Sequence, residues 1–580
     1  MTDSLDRRNF LRIGGGSLLA CAAGRVLAQD VSQGAKRVAP AKPIVLKTTE
    51  LELALDPEQG LPYEYRLPKL QTRFRGDVTS QPMVATVCDK ANWKFVPVPL
   101  HVQSSRDIPP SNTTADFDFT TKVDDRAAAS FTLRYRVEGP SVFVSLYDVR
   151  EHEGFELIDV AMPALVTVSE EDGAAWLAHG ETGGSLTMLS DAKAGNLAPN
   201  RFWGKVLATL PVLMVGNGKA ACALEIQSFM DGAEMTVSGD AGHRTASMGT
   251  IKTHRINGSA CWDMNTGHPE TTRNCGNRNT PNLLVEAVSN PVHRGQGRGM
   301  SCRLDFVGDR NNDGAADWLD AAQLVRERMP AMPSHLYDNA FVYGILLDQP
   351  LFEKPTATFE DCERIIRNIA ALTDNGRQIV HLWGWQFHGK DSGYPAVNQV
   401  DSRVGGYDEM MRLMENAKKY NCTVTLSDNY DDAYRSSVAW NPDWIARRPD
   451  GELWESRNWT GENSYILGMA KYVEAAGLER VRYTCERYKL PETTHVDVLS
   501  YYPIRNDWDP KHPASGTKNL EARYRVVEEF KKHGVDVSSE ALRYSFLGTI
   551  SSFWYMTGQG ADPFGGQPIP LLATIYRKCA

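Results

Sequence analysis

The 580-residue chain lacks most of the features that place a protein quickly. None of its ten cysteines forms a Cys-x-x-Cys pair, so the spacing of a zinc site is absent. There is no Lys/Arg-rich block, and 63 basic against 72 acidic residues leave a net charge of −9, which argues against a nucleic-acid partner. Gly-x-Ser-x-Gly, the phosphate-binding loop and His-Glu-x-x-His are all missing, which removes support for serine hydrolase, nucleotide and zincin chemistry. No repeat with a period of roughly 20–50 residues is visible. What is present is an ordinary globular composition, 42% hydrophobic and 9% aromatic. It is long enough for about two to four domains.

The N-terminus reads as an address. Asp6-Arg7-Arg8-Asn9-Phe10-Leu11-Arg12 precedes a small, apolar run from Ile13 to Ala23 and then Val26-Leu27-Ala28, the pattern of a twin-arginine export signal over residues 1–28. Two outcomes fit: cleavage after Ala28, giving a periplasmic or extracellular protein, or lipidation of Cys21 within Leu18-Leu19-Ala20-Cys21. A chain that folds before export should not depend on disulfides. The remaining thiols then read as buried small hydrophobes, with Cys261 and Cys275 the pair expected to oxidise after export.

From residue 40 to 305 short alternating runs dominate. Phe131, Leu133, Tyr135 and Val137 alternate with polar residues, Gly139-Pro140 breaks the run, and Val142, Val144 and Leu146 resume it, which is a β-hairpin. Further strands read at 206–215 and 220–229, and the segment is expected to be an antiparallel β-sandwich.

After residue 330 the period changes. Asn339 to Asp348 reads as a buried strand, and Thr358 caps a helix whose apolar face is Phe359, Cys362, Ile366, Ile369 and Leu372. Strands follow at 378–386, 422–428, 493–500, 534–539 and 568–576, separated by helices bearing Met410 and Met414, then Val527 and Phe530. Such alternation implies a parallel sheet under helices, either doubly wound or a (β/α)8 barrel. The expectation is a β-sandwich over 40–305, a junction over 306–330 and a (β/α)8 TIM-barrel-type catalytic domain over 331–580. About six strands fit where a closed barrel has eight, so a domain incomplete at the C-terminus is expected, with an open sheet as the alternative.

Carboxylates, amides and aromatics crowd the C-terminal ends of the strands, where either architecture places its active site. The segments are GWQFHGKDSGYP after Trp383, SDNYDDAY from Ser427, HVDVLS from His495 and SSEAL from Ser538. Aromatic faces stack on sugar rings, and two carboxyl groups suffice to cleave a glycosidic bond. Alternation places His495, Asp497 and Leu499 on one face, so that Asp497 stands at the rim of a barrel, with Glu540 at the same level one strand later.

Together and in order, these segments resemble the clan of glycoside hydrolase families 101 and 129, retaining enzymes acting on α-linked N-acetylgalactosamine. The resemblance covers residues 300–580, and the sandwich only by position and type. It implies Asp497 as nucleophile and Glu540 as general acid/base, with Asp391, Asp428 and Tyr430 binding the sugar. Trp383, Trp385, Gln386 and Tyr501 join them as candidate substrate-binding residues, and Trp508 is a further candidate platform. The family form more often has an acidic residue before the Gly of the second-strand loop and a His after it. Here His388 and Lys390 hold those places, which bears on the sugar subsites rather than the reaction class. Two rival readings are a retaining α-glycosidase of other specificity, such as an α-galactosidase, and a non-catalytic glycan-binding protein.

The junction holds one more motif. Asp309, Asn311, Asp313, Asp317 and Asp320 occupy positions 1, 3, 5, 9 and 12 of a run with Gly314 at position 6, the spacing of a structural calcium loop. A solvated turn with Asp317 at a helix start is the alternative. No cofactor is expected for the chemistry itself.

Overall fold

The computed structural model describes residues 39–579, except 77–81, 92–93, 108–111, 181–182, 192–199, 203–209, 227, 230–233, 241–244, 254–261, 264–267, 270–287, 290–299, 388, 449–450, 459–460, 502–504, 515 and 556–564. The signal segment, Cys21, the Cys261/Cys275 pair and His388 lie outside the described residues. Cys88, Cys222, Cys302, Cys362, Cys422, Cys485 and Cys579 are buried. The chain forms two compact units. One takes residues 1–278, 284–329 and 557–578, and the other takes 279–283, 330–556 and 579–580.

In the first unit, period-two alternation builds two antiparallel sheets, each of ten strands among the described residues. The expected hairpin joins Arg126–Glu138 to Ser141–Glu151 and pairs Val137 with Val142 and Leu133 with Leu146. The inward faces of the two sheets share one apolar core. Tyr65 and Phe74 of one sheet close on Phe306 of the other, with ring centroids 4.9 and 5.3 Å apart. Polar groups in this unit sit in pairs outside that core. Arg328, at the end of helix Trp318–Glu327, reaches the buried Glu225 at 2.6 Å and Asp305 at 3.0 Å.

In the junction loop the candidate ligand oxygens accept from backbone amides. Asp309 accepts hydrogen bonds from the amides of Asn312, Asp313 and Gly314, and Asp320 from those of Arg310, Asn311 and Asp317. Asp317 accepts from the amides of Leu319 and Asp320 as the helix N-cap, and Asn311 donates to Asp313. These oxygens close turns and cap a helix. Among the described residues no group of three His, Cys, Asp or Glu side chains is placed to hold a metal.

The second unit is built on a parallel sheet of six strands in chain order: Phe341–Leu346, Gln378–Trp383, Cys422–Asn429, Thr493–Asp497, Asp536–Ala541 and Ser552–Tyr555. Its outer face presents Ile345, Val380, Leu382, Val424 and Leu426. These merge with Phe359, Cys362 and Ile366 of helix Phe359–Leu372 and with Met410, Leu413 and Met414 of helix Gly406–Asn416. The first helix starts where expected, because Thr358 and Asp361 form a reciprocal capping box.

The sheet is curled. Rings from the second, fourth and sixth strands meet on its inner face: His381 lies 5.4 Å from both His495 and Trp554, and Trp383 lies 5.0 Å from Trp554. In a flat sheet the second and sixth strands would stand about 19 Å apart, four spacings of about 4.8 Å. Filling of the interior by alternate strands is the packing habit of a (β/α)8 barrel. Among the described residues no pairing joins the first strand to the sixth, so a closed barrel is not what this sheet displays.

Three expectations need correcting. Residues 568–576 are not a strand: Gln567–Pro568 pairs with Ser185 and Leu186 in the first unit, and Leu571–Tyr576 is a helix against helix Trp318–Glu327. The buried residues Leu571, Leu572, Ile575 and Tyr576 repeat at helical spacing, which a short apolar run conceals. The strand beginning at Phe341 is an edge strand and only half-buried, with Phe341 59% exposed. Leu372, the last residue of its helix, faces solvent rather than the core.

Candidate active site

The polar strand ends are gathered by register. The second and third strands pair His381 with Thr425, the third and fourth pair Ser427 with His495 and Asn429 with Asp497, and the fourth and fifth pair His495 with Ser538 and Val496 with Ser539. Paired residues of a parallel sheet point to the same face, so His381, Trp383, Ser427, Asn429, His495, Asp497, Ser538 and Glu540 share the inner face. Asp497 ends its strand because Val498 takes a left-handed backbone (φ 51°), an uncommon state for a β-branched residue. The chain beyond is tied to the fifth strand: the Ser500 amide donates to Ser539 Oγ at 3.2 Å, and the Ala541 amide donates to Ser500 Oγ at 3.1 Å.

The loop after the second strand brings Lys390 and Asp391 to this rim. Gly389 (φ 87°) makes its close approach possible, since a Cβ there would lie 2.8 Å from the Asp348 carbonyl. The Lys390 amide then donates to Asp348 O at 2.9 Å. Lys390 Nζ lies 3.9 Å from Asp391 Oδ2 and 5.2 Å from the centre of the Trp383 ring. Gly344 on the first strand leaves room for that ring, because a Cβ there would meet it at 2.8 Å.

Each carboxyl of the cluster has its own electrostatic setting. Burial pushes the Asp497 carboxyl up, but the His495 ring, with Nε2 3.6 Å from Asp497 Oδ1, and the Lys390 ammonium outweigh it and hold the group below the usual range. Burial raises Asp391 to about 6 against the pull of Lys390. Burial, reinforced by Asp391, raises Asp432 to about 8 even though Asn429 donates to it at 2.8 Å. Burial depresses Lys390, but Asp497, Asp391 and Glu540 more than restore it.

The structure divides the candidate residues. Asp497, Glu540, Asp391 and Trp383 come together at the inner rim, and Tyr501 lies beyond them, 39% exposed, with the Arg543 guanidinium 6.0 Å from its ring. Trp385 and Tyr430 are fully buried and cannot be sugar platforms. Trp385 donates to Ser427 O at 2.7 Å and meets Tyr488 edge-on, whereas Tyr430 packs under Arg480 and against Phe530. Trp508 is core too, stacked on Trp454. Gln386 is fully buried. Asp428 pairs in register with Val496, facing outward, where the Arg480 guanidinium takes its charge. Asp431 is likewise bound by Arg523 at 2.6 Å.

Four contributors escaped the sequence reading: Asp432, Tyr394, Trp554 and His381. Asp432 and Tyr394 lie inside the segments already singled out. Trp554 stands in the aromatic run Ser552-Phe553-Trp554-Tyr555, whose strand pattern was legible but unused.

Residues 352–540 match the sequence pattern of glycoside hydrolase family 101, endo-alpha-N-acetylgalactosaminidase. The chain is a glycoside hydrolase. This glycoside hydrolase is also similar in structure to the alpha-N-acetylgalactosaminidase NagBb from Bifidobacterium bifidum in complex with GalNAc. The TM-score is 0.68 at 15% identity, over 92% of this chain and 83% of that one. The ligand-free NagBb gives 0.65 at 14% identity, over 92% and 84%. The family 36 alpha-galactosidase AgaB from Geobacillus stearothermophilus gives 0.51 at 11% identity, over 91% and 76%. At these identities the likeness is one of fold.

Proposed function

We propose that this glycan-cleaving hydrolase is a retaining glycosidase that removes α-linked N-acetylgalactosamine by double displacement. One observation carries the reading: Asp497 and Glu540 directly follow the register pair Val496 and Ser539 on neighbouring parallel strands. Such strands run about 4.8 Å apart. That suits the roughly 5–5.5 Å between the carboxyl groups of a retaining pair and falls short of the roughly 6.5–9.5 Å of an inverting one. The choice of sugar rests on the description of the matching family.

In the first step Asp497 attacks the anomeric carbon. The glycosidic bond breaks, its electron pair stays on the leaving oxygen, and that oxygen takes the Glu540 proton. In the second, Glu540 takes a proton from water, whose oxygen displaces Asp497 and restores the original configuration. The ionised state of Asp497, favoured by His495 and Lys390, suits attack.

The test is a panel of aryl α-glycosides followed by NMR. The α-anomer should form first from the α-N-acetylgalactosaminide. Glu540→Gln should lower kcat by roughly 10²–10⁴-fold, and Asp497→Asn at least as much. Undiminished turnover in either variant, or a β-anomer formed first, overturns the mechanism. Faster turnover of the α-galactoside would reassign the sugar.

A further inference from the structure

We propose that Lys390 is a positioning residue that keeps the attacking carboxylate of Asp497 ionised and sets the charge of the sugar pocket, so that it admits a neutral sugar and rejects one bearing a free ammonium. This rests on the proposed role of Asp497.

The geometry comes first. The side chain of Lys390 is 27% exposed and lies along the rim, its ammonium 3.9 Å from Asp391 and 5.2 Å from the Trp383 ring centre. Both the ring face and the carboxylates attract a cation. Its position is built in by the backbone, since the Lys390 amide is held by Asp348 and Gly389 permits the turn.

Among the described residues few titratable groups face Asp497. His495 comes from its own strand, Lys390, Asp391 and Tyr394 from the second-strand loop, and Glu540 from the fifth strand, while the neutral Asn429 lies opposite on the third. The other nearby cation, Arg480, is committed to Asp428. His495 is fully buried, and its own positive charge is disfavoured by that burial. Among the described residues the permanent positive charge acting on Asp497 is therefore that of Lys390. Without it the rim carboxylates Asp391, Asp497 and Glu540 would lose a nearby cation, Arg505 acting instead on Asp431 and Asp432, and the pocket would become more attractive to an amino sugar.

The experiment reads the Asp497 carboxyl directly by NMR titration of carboxyl-labelled protein, which needs no turnover. In Lys390→Gln the Asp497 titration should move up by about one pH unit, and in Lys390→Arg it should stay near the wild-type value. If Lys390→Gln fails to fold, Lys390→Met serves as the second neutral variant. No movement in the neutral variant, or equal movement in the arginine variant, overturns the proposal. The second arm compares kcat/KM for an aryl α-galactosaminide with a free amine against its N-acetyl counterpart. That ratio should rise at least about tenfold in the neutral variant, and an unchanged ratio overturns the charge-setting role. Lack of any wild-type turnover would count against the proposed function, while the NMR titration would still decide the role of Lys390.

Discussion

On its outer face the parallel sheet presents Ile345, Val380, Leu382, Val424 and Leu426 to the helices, and on its inner face the same strands present His381, Thr425, Ser427, His495 and Ser538. Both sets are buried. The outer set gains from leaving water and is satisfied by any neighbour of the right shape. The inner set must find specific partners: His495 Nδ1 lies 3.0 Å from Ser538 Oγ, and Thr425 donates to the Thr493 carbonyl. One face therefore contributes stability, and the other spends part of it to hold ionisable groups in fixed relation. Asp428 is the exception that sharpens the contrast, because it is a carboxylate on the apolar face and is tolerated there through Arg480, with the Asn429 amide donating to it at 2.8 Å.

The largest expected effect comes from breaking that exception. Arg480→Met leaves Asp428 buried without its counter-charge and should cost about 3–5 kcal/mol in chemical denaturation. A loss under about 1 kcal/mol would mean that the outer face accepts charge and that the contrast is false. Next is Leu426→Ala, fully buried among the aliphatic residues beneath the helices. It should cost about 3 kcal/mol and leave the pH profile of kcat/KM unmoved wherever the protein is folded. A displaced profile would show that the two faces are coupled.

Much of this was legible because it is local. Period two revealed the hairpin around Gly139-Pro140, and the capping box revealed the helix at Thr358. Alternation also placed His495 and Asp497 on one face. What escaped depends on events that reset the alternation or act through space. Trp385 follows Gly384, whose left-handed backbone ends the strand's parity, so a tryptophan expected at the mouth turns into the core. Asp428 and Asn429 are neighbours in one motif, yet the strand sends them to opposite faces, and only the position of Arg480 tells which is committed to structure. The unusual state of Asp432 comes from burial reinforced by Asp391, on a different loop.

The smallest expected effect tests the cost of the inner rim directly. Asp391 titrates near 6 in the folded protein, raised chiefly by burial, and near 3.9 when unfolded. A group raised on folding contributes stability that is fully present below its unfolded value and is lost as pH rises through its folded value. The native state should therefore weaken between about pH 4 and pH 6 on account of Asp391 and stay weakened above. Asp391→Asn carries no such charge. It should match the wild type near pH 4 and exceed it at pH 8 by about 1 kcal/mol, or roughly 2–4 °C in Tm, because solvent screens a carboxyl whose side chain is 23% exposed. An equal gain at both pH values would trace the effect to packing. A loss at pH 8 would mean that the Lys390–Asp391 contact stabilises the fold, and that the inner rim, like the outer face, is a net contributor.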